Sequence, residues 1–193
     1  MQKDTFEALV RANRSCRRFF QEESIDLDTL KDLVNLARLS ASAANLQPLK
    51  YMLVNEPEKN EDVFKTLGWA GYLKAWQGPQ EGERPVAYIL LLKDKEIAKT
   101  AQYDAGIAVQ SILLGARARG LGGCIFASVK RPRVRKAFQI PERYDILLVL
   151  ALGKPKEDVQ IDPLGLDGNI QYWRDADGVH HVPKRPLDEI ILA

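Results

Sequence analysis

Cysteine is scarce in this chain: Cys16 and Cys124 are the only two in 193 residues, far apart and in no C-x-x-C arrangement. That spacing signals neither a disulfide framework nor a zinc site, and a reducing cytoplasm fits it best. Histidine is equally rare. His180 and His181 are adjacent, and immediate neighbours seldom point at one ion, so both are expected at the surface rather than as metal ligands. An excess of one charge is also missing, because 28 Lys and Arg against 26 Asp and Glu leave a formal +2. Such a balance argues against nucleic acid as the main partner, and any phosphate must be held locally. No apolar run is long enough to span a bilayer, and the segment Met1 to Arg11, with Asp4 and Glu7, lacks the apolar stretch of a signal peptide. The expectation is a soluble, unprocessed cytoplasmic protein.

What is present is the composition of one ordinary domain with a sizeable core, 46% hydrophobic. Asp4 and Glu7 resemble a capping box, and Phe6, Leu9 and Val10 recur at helical spacing, which predicts a helix over Thr5 to Ala12. Asp26 and Asp28 are capping candidates for a second helix carrying Leu30, Leu33, Val34 and Ala37 and ending near Leu39. Ser40 to Pro48 reads as a loop. Tyr51 to Val54 and Val86 to Leu92 read as buried strands, with a helix containing Val63, Phe64 and Leu67 and an irregular stretch from Gly68 to Gly82 between them. A close-packed helix is expected from Thr100 to Arg119, capped at Gly120. Strands at Gly123 to Ala127 and Ile146 to Leu152 enclose a short helix at Pro132 to Phe138. Helices and strands interspersed in this way give an α+β layer architecture. From Lys154 to Ala193 the chain is polar and rich in Pro, Gly and Asp, which predicts an extended arm lying over its own domain or over a partner.

Four segments could carry chemistry. Asn13-Arg14-Ser15-Cys16-Arg17-Arg18-Phe19 offers planar guanidinium forks and a compact hydroxyl, the donors a phosphate requires, although a solvated basic turn would use the same residues. Ser42-Ala43-Ala44-Asn45-Leu46-Gln47-Pro48 presents amides suited to the edge of a planar heterocycle, and a plain helix-to-strand turn would draw on the same types. Gly120-Leu121-Gly122-Gly123 superficially matches a dinucleotide fingerprint, but here the helix precedes and a strand follows, the reverse of the Rossmann order. Glycines so placed permit a helix cap and a close approach to a flat ligand. Pro183-Lys184-Arg185-Pro186-Leu187 is a second cationic site that could close on the same phosphate as Arg14 and Arg17, or simply be solvated.

In this order the segments resemble the nitroreductase-like flavoprotein family over nearly the whole chain. The resemblance runs from Arg14-Ser15-Cys16-Arg17-Arg18-Phe19 through Ser42 to Pro48, an Asp-x-Gly-x-Ala element at Asp104 to Ala108, the turn Gly120 to Gly122, and Lys184-Arg185 with Leu187, Glu189 and Ile190. It implies a three-layer α+β fold, a central mixed or antiparallel sheet flanked by helices, forming an intertwined homodimer with FMN sites at the interface. Arg14, Ser15 and Arg17 would reach the phosphate, ribityl chain and pyrimidine edge, and Lys184 or Arg185 would complete the phosphate site. Ser42, Asn45 and Gln47 would come from the other subunit, and the backbone of Ile125, Phe126, Ala127 and Ser128 would line the ring edge.

The resemblance further implies an oxidoreductase that passes electrons from NADH or NADPH to a small nitroaromatic- or quinone-like acceptor by a ping-pong mechanism. Such chemistry resides in the cofactor, leaving orientation and charge stabilisation to the protein, a task suited to Arg17, with Arg18 facing away. No protein nucleophile is needed, so Cys16 and Cys124 are expected to be packing residues. Two departures stand out: family members commonly carry a basic residue where this chain has Asn13, and an aromatic one where it has Leu49. Trp69, Tyr72 and Trp76 either flank the acceptor or belong to a core or interface. The same fold could also serve reductive dehalogenation or flavin cleavage. A remoter reading takes Lys130-Arg131-Pro132-Arg133-Val134-Arg135-Lys136 as a nucleic-acid-binding helix start, for which a solvated helix face is a sufficient explanation.

Overall fold

A computed structural model describes residues 3–192. Helix α1 spans Lys3–Ala12; the side chain of Asp4, half of the expected capping box, lies outside the described set, and Glu7 instead pairs with Arg11 one turn on, at 2.9 Å. Helix α2, Leu27–Arg38, begins where the sequence signals it, because the Asp26 carboxylate accepts from the Thr29 backbone N–H at 2.6 Å. After a 3-10 turn at Ala43–Asn45 come β2 (Leu49–Val54), α3 (Pro57–Phe64), β3 (Ala87–Asp94), α4 (Gln102–Ala118), β4 (Gly122–Phe126), α5 (Arg131–Ala137) and β5 (Tyr144–Pro155). A two-residue β1, Phe19–Phe20, precedes α2. Leu67, expected within the third helix, lies beyond it and bridges to Val129.

The main sheet is antiparallel throughout, in the order β1-β5-β3-β2, with β4 also pairing with β5. Val149 of β5 faces Leu90 of β3 on one edge and Phe126 of β4 on the other, so β5 is the strand around which the sheet is organised. Strand alternation then sorts the core into two layers. Ile89, Leu91, Leu150 and Leu152 pack beneath α2 and α4, with Leu30, Leu33 and Ile112 fully buried. Tyr88, Leu90, Val149 and Ala151 face the opposite way, against Val63 of α3 and Val134 of α5. The result is the expected three-layer α+β arrangement. The small residues of α4 allow its close approach: a Cβ on Gly115 would sit 2.2 Å from Leu36 of α2. The helix ends at Gly120, whose φ of +75° suits a residue without a side chain.

The arm is more regular than its composition suggested. Strands β6 (Val159–Pro163) and β8 (His180–Lys184) pair in parallel, and β7 (Trp173–Arg174) joins β8 antiparallel; helix α6 (Leu187–Ile190) follows. This small sheet lies over its own domain. The Lys156 N–H donates to the Arg18 carbonyl at 2.9 Å, and the rings of Tyr172 and Tyr72 sit 4.9 Å apart.

Candidate functional site

The basic segment after α1 is threaded between β4 and the arm. Ser15 bridges Gly123 of β4, and the Cys16 N–H donates to the Gly123 carbonyl at 2.9 Å. The backbone N–H groups of Arg17 and Arg18 then both donate to Glu157 Oε1. Glu157 has no exposed side-chain area and also accepts from Arg174 at 2.7 Å, so its charge is matched within the arm. An extended backbone sends successive side chains to opposite sides, and the two arginines separate accordingly. Arg17 turns inward: its Nη1 donates to His180 Nε2 at 3.2 Å, and its guanidinium lies 4.8 Å from the centre of the Tyr172 ring. Arg18 turns away to a two-pronged pair with Glu83, 2.7 and 2.5 Å long. Cys16 and Cys124 are buried. Burial pushes the Cys16 thiol up to about 12 and raises that of Cys124, so both are uncharged packing residues.

Arg14, Ser15, Arg17, Ile125 and Lys184 share one cavity of about 270 Å³, together with Gln110, Tyr172 and His180. Arg14 donates through Nη2 to the Val10 carbonyl, while its Nε is buried without a partner. Arg14, lining the cavity with Ser15 and Lys184, offers a cation and donors suited to an anionic oxygen. Ile125 is the one side chain of β4 that faces this space, 43% exposed between buried Cys124 and Phe126. Phe126 itself turns into the α3/α5 layer, and Ala127 and Ser128 lie exposed at the strand end. Arg185 does not line the cavity; it pairs with Glu189 of α6.

His180 corrects the expectation of a surface histidine. It is 1% exposed, and burial together with the positive charges of Arg17 and Arg174 lowers its pKa to about 4. The signal was available: along β8, His180, Val182 and Lys184 alternate onto one face, and all three line the cavity. His181 faces the other way. Its Nδ1 lies 2.7 Å from Asp162 of β6 and its Nε2 3.2 Å from Asp175, with the Trp173 ring stacked at 4.0 Å.

The amide-rich loop occupies a different place. Ser42 and Gln47 line a second cavity, also about 270 Å³, with Tyr51 and Asp104, while Asn45 is exposed beside them. Asp104, in the first turn of α4, organises the loop: it accepts from Ser42 Oγ and from the Ala43 N–H, and Ser42 Oγ in turn accepts from the Gln47 N–H at 2.9 Å. Ala44, Asn45 and Gln47 all hold φ near +50°, a left-handed conformation that costs such residues of order 1 kcal/mol or more each and is tolerated only where surroundings enforce it. Burial, then the Asp104 charge, raises the Tyr51 phenol to about 12. Within one chain Ser42, Asn45 and Gln47 do not line the Arg17 cavity.

The irregular segment forms an aromatic wall beyond β4. Trp69 meets Phe126 and Trp76 edge-on, Arg174 lies over Trp76, and the Gly68 N–H donates to the Ser128 carbonyl at 2.9 Å. Part of the basic run of α5 is spent internally, while Lys130, Arg133 and Lys136 remain exposed. Arg131 donates to the carbonyls of Ala127, Ile146 and Leu147, and Arg135 to those of Ile140, Pro141 and Tyr144, which removes two of its cations from any nucleic-acid surface. Among the described residues no cluster of His, Cys, Asp or Glu could hold a metal, and no helix is long and apolar enough to cross a membrane.

The chain is similar to known proteins in sequence and in fold. A 5,6-dimethylbenzimidazole synthase of Rhodospirillum rubrum is 23% identical over 192 residues, covering 84% of this chain and 87% of that protein. An FMN reductase (NADPH) of Bacillus subtilis is 23% identical over 166 residues, covering 79% of this chain and 66% of its own. The solved structure of an FMN-dependent nitroreductase from Clostridium difficile superposes with a TM-score of 0.65 at 20% identity, covering 78% and 87% of the two chains, a likeness of fold. The family model described as Nitroreductase family matches residues 10–154, from the end of α1 to the end of the long strand β5, and the chain belongs to that family.

Proposed function

We propose that this chain is an FMN-dependent oxidoreductase that transfers electrons from NADH or NADPH to a small nitroaromatic- or quinone-like acceptor by a ping-pong mechanism. The observation that carries the reading is convergence: Arg14, Ser15 and Arg17 from the N-terminal segment and Lys184 from the arm meet in one cavity. Bound there, FMN would supply the hydride-accepting and electron-donating chemistry. Arg14 and Lys184 hold the phosphate, with Arg185 able to join them only by leaving Glu189, and Ser15 meets the ribityl chain. Arg17 faces the pyrimidine edge and stabilises negative charge there. The backbone from Ile125 to Ser128 borders the reacting edge, with Trp69, Tyr72 and Trp76 on the acceptor side.

A cavity of about 270 Å³ is below the roughly 300–1,000 Å³ typical of ligand sites. The amide loop offers a second half of equal size, so the reading includes a homodimer in which Ser42, Asn45 and Gln47 complete the partner's site. Exposed apolar side chains supply a surface for it: Tyr103 and Ile107 on α4, Phe6 on α1, and Leu187 and Ile190 on α6. The test is the visible spectrum and sedimentation of purified protein. Colourless protein that takes up no added FMN refutes the reading, and an FMN-loaded monomer refutes its two-chain site. The synthase among the relatives motivates a second reading, in which the bound flavin serves another reaction; FMN-loaded protein that reacts with neither NADH nor NADPH would favour it.

A further inference from the structure

Arg17 is held by the arm. Its Nη1 donates to His180 Nε2 at 3.2 Å, and the Tyr172 ring, 4.8 Å from the guanidinium and 5.1 Å from the imidazole, covers the pair. All three side chains line the same cavity as Ser15 and Lys184. A guanidinium has only donors, so His180 Nε2 must accept, and the imidazole proton resides on Nδ1. We infer that His180 is a positioning residue for Arg17: as a neutral acceptor it fixes the direction of the guanidinium without neutralising it, and so sets how strongly Arg17 favours the reduced cofactor. The inference rests on the FMN reading above.

The choice of side chain matters here. A carboxylate in place of His180 would orient Arg17 equally well but cancel the charge the site is built to present. Glu157 shows the contrast within the same segment, since it takes the backbone N–H groups of Arg17 and Arg18 and spends its charge on Arg174, leaving the Arg17 guanidinium to a neutral partner. The flanking positive charges of Arg17 and Arg174 and the burial of the ring keep the imidazole uncharged near neutral pH.

The experiment compares wild type, His180→Gln, His180→Leu and Arg17→Ala by the midpoint potential of bound FMN, with circular dichroism to confirm folding. His180→Leu removes the acceptor, and the preference for reduced over oxidised FMN should fall about tenfold, equivalent to about 30 mV for a two-electron couple. His180→Gln retains an acceptor and should lie within about twofold of wild type. In the FMN-free protein, the Arg17→Ala change should raise the His180 imidazole pKa, followed by NMR, because a neighbouring cation has been removed. If Arg17→Ala shifts the potential while His180→Leu leaves it at the wild-type value, the positioning role is refuted and the FMN reading stands. Wild-type protein that binds no FMN overturns both. Should His180→Leu fail to fold, an unchanged His180 pKa in Arg17→Ala, or a His180→Gln potential as low as that of Arg17→Ala, also refutes the role.

Discussion

Replacing Arg17 and Arg18 one at a time separates cofactor chemistry from fold stability. Arg17→Ala removes a buried guanidinium whose side-chain partners within the chain are the neutral His180 and the Tyr172 ring, so no opposite charge is stranded and the loss falls on the ligand. A hydrogen bond to a charged group contributes about 1.5–3 kcal/mol, so FMN affinity should fall about 10- to 150-fold, and its potential should become more negative. Arg18→Ala breaks the pair with Glu83, whose side chain is only 8% exposed; Lys156, 3.5 Å away, remains as partial compensation. A stability loss of about 1–3 kcal/mol follows, with FMN affinity unchanged. Fluorescence titration of FMN and urea unfolding of the FMN-free proteins measure the two quantities independently. Equal losses of affinity in the two variants, or normal affinity and potential in Arg17→Ala, would show that the cofactor lies against other residues.

Asp104→Ala releases both loop contacts, so urea unfolding should show about 2–3 kcal/mol of destabilisation, and the Tyr51 phenol should fall from about 12 only partway towards its ordinary value, since burial is the larger cause. Gly115→Val should be destabilising by about 1–3 kcal/mol in the same assay, because the new side chain meets Leu36 at the α2–α4 contact. The adjacent histidines predict opposing pH effects on the arm. His181 is raised by its bond to Asp175 and by Asp162, so its contribution is full below its unfolded value near 6.5 and is lost as pH rises through the higher folded value. His180 is lowered to about 4, so its contribution is present above 6.5 and is lost between 6.5 and 4. Urea midpoints across pH 4 to 9 should therefore lose their alkaline decline in His181→Gln and part of their acid decline in His180→Gln, and profiles identical to wild type would refute both assignments.

The elements that carry local signals were legible in the sequence. Asp26 marked the start of α2, the apolar run at 86–92 marked a strand buried on both faces, and Gly120 marked the end of α4. That Arg14, Ser15, Arg17 and Lys184 line one cavity accords with what the family resemblance implied, whereas each segment alone left a solvated reading open. What local pattern could not reveal was long-range pairing. Tyr172 and Glu157 acquire their meaning only when the arm folds back onto residues 13–18, and Asp104 only when α4 meets the amide loop. The arm looked irregular because its strands are two to five residues long and rich in turn residues, too short for periodicity to register. Arg131 and Arg135 read as charged surface, as Arg133 is, because guanidiniums that donate to carbonyls are indistinguishable in sequence from solvated ones.

Glu157 gives this arrangement a thermodynamic consequence. One carboxylate of the arm accepts from the backbone of the N-terminal segment and pairs with Arg174, joining the two segments whose other residues line the cavity. On the FMN reading, cofactor binding and the contact between arm and N-terminal segment are then thermodynamically linked. A cofactor bound against both segments would add its binding free energy to the clasp that Glu157 provides, and a stronger clasp would raise its affinity by the same amount.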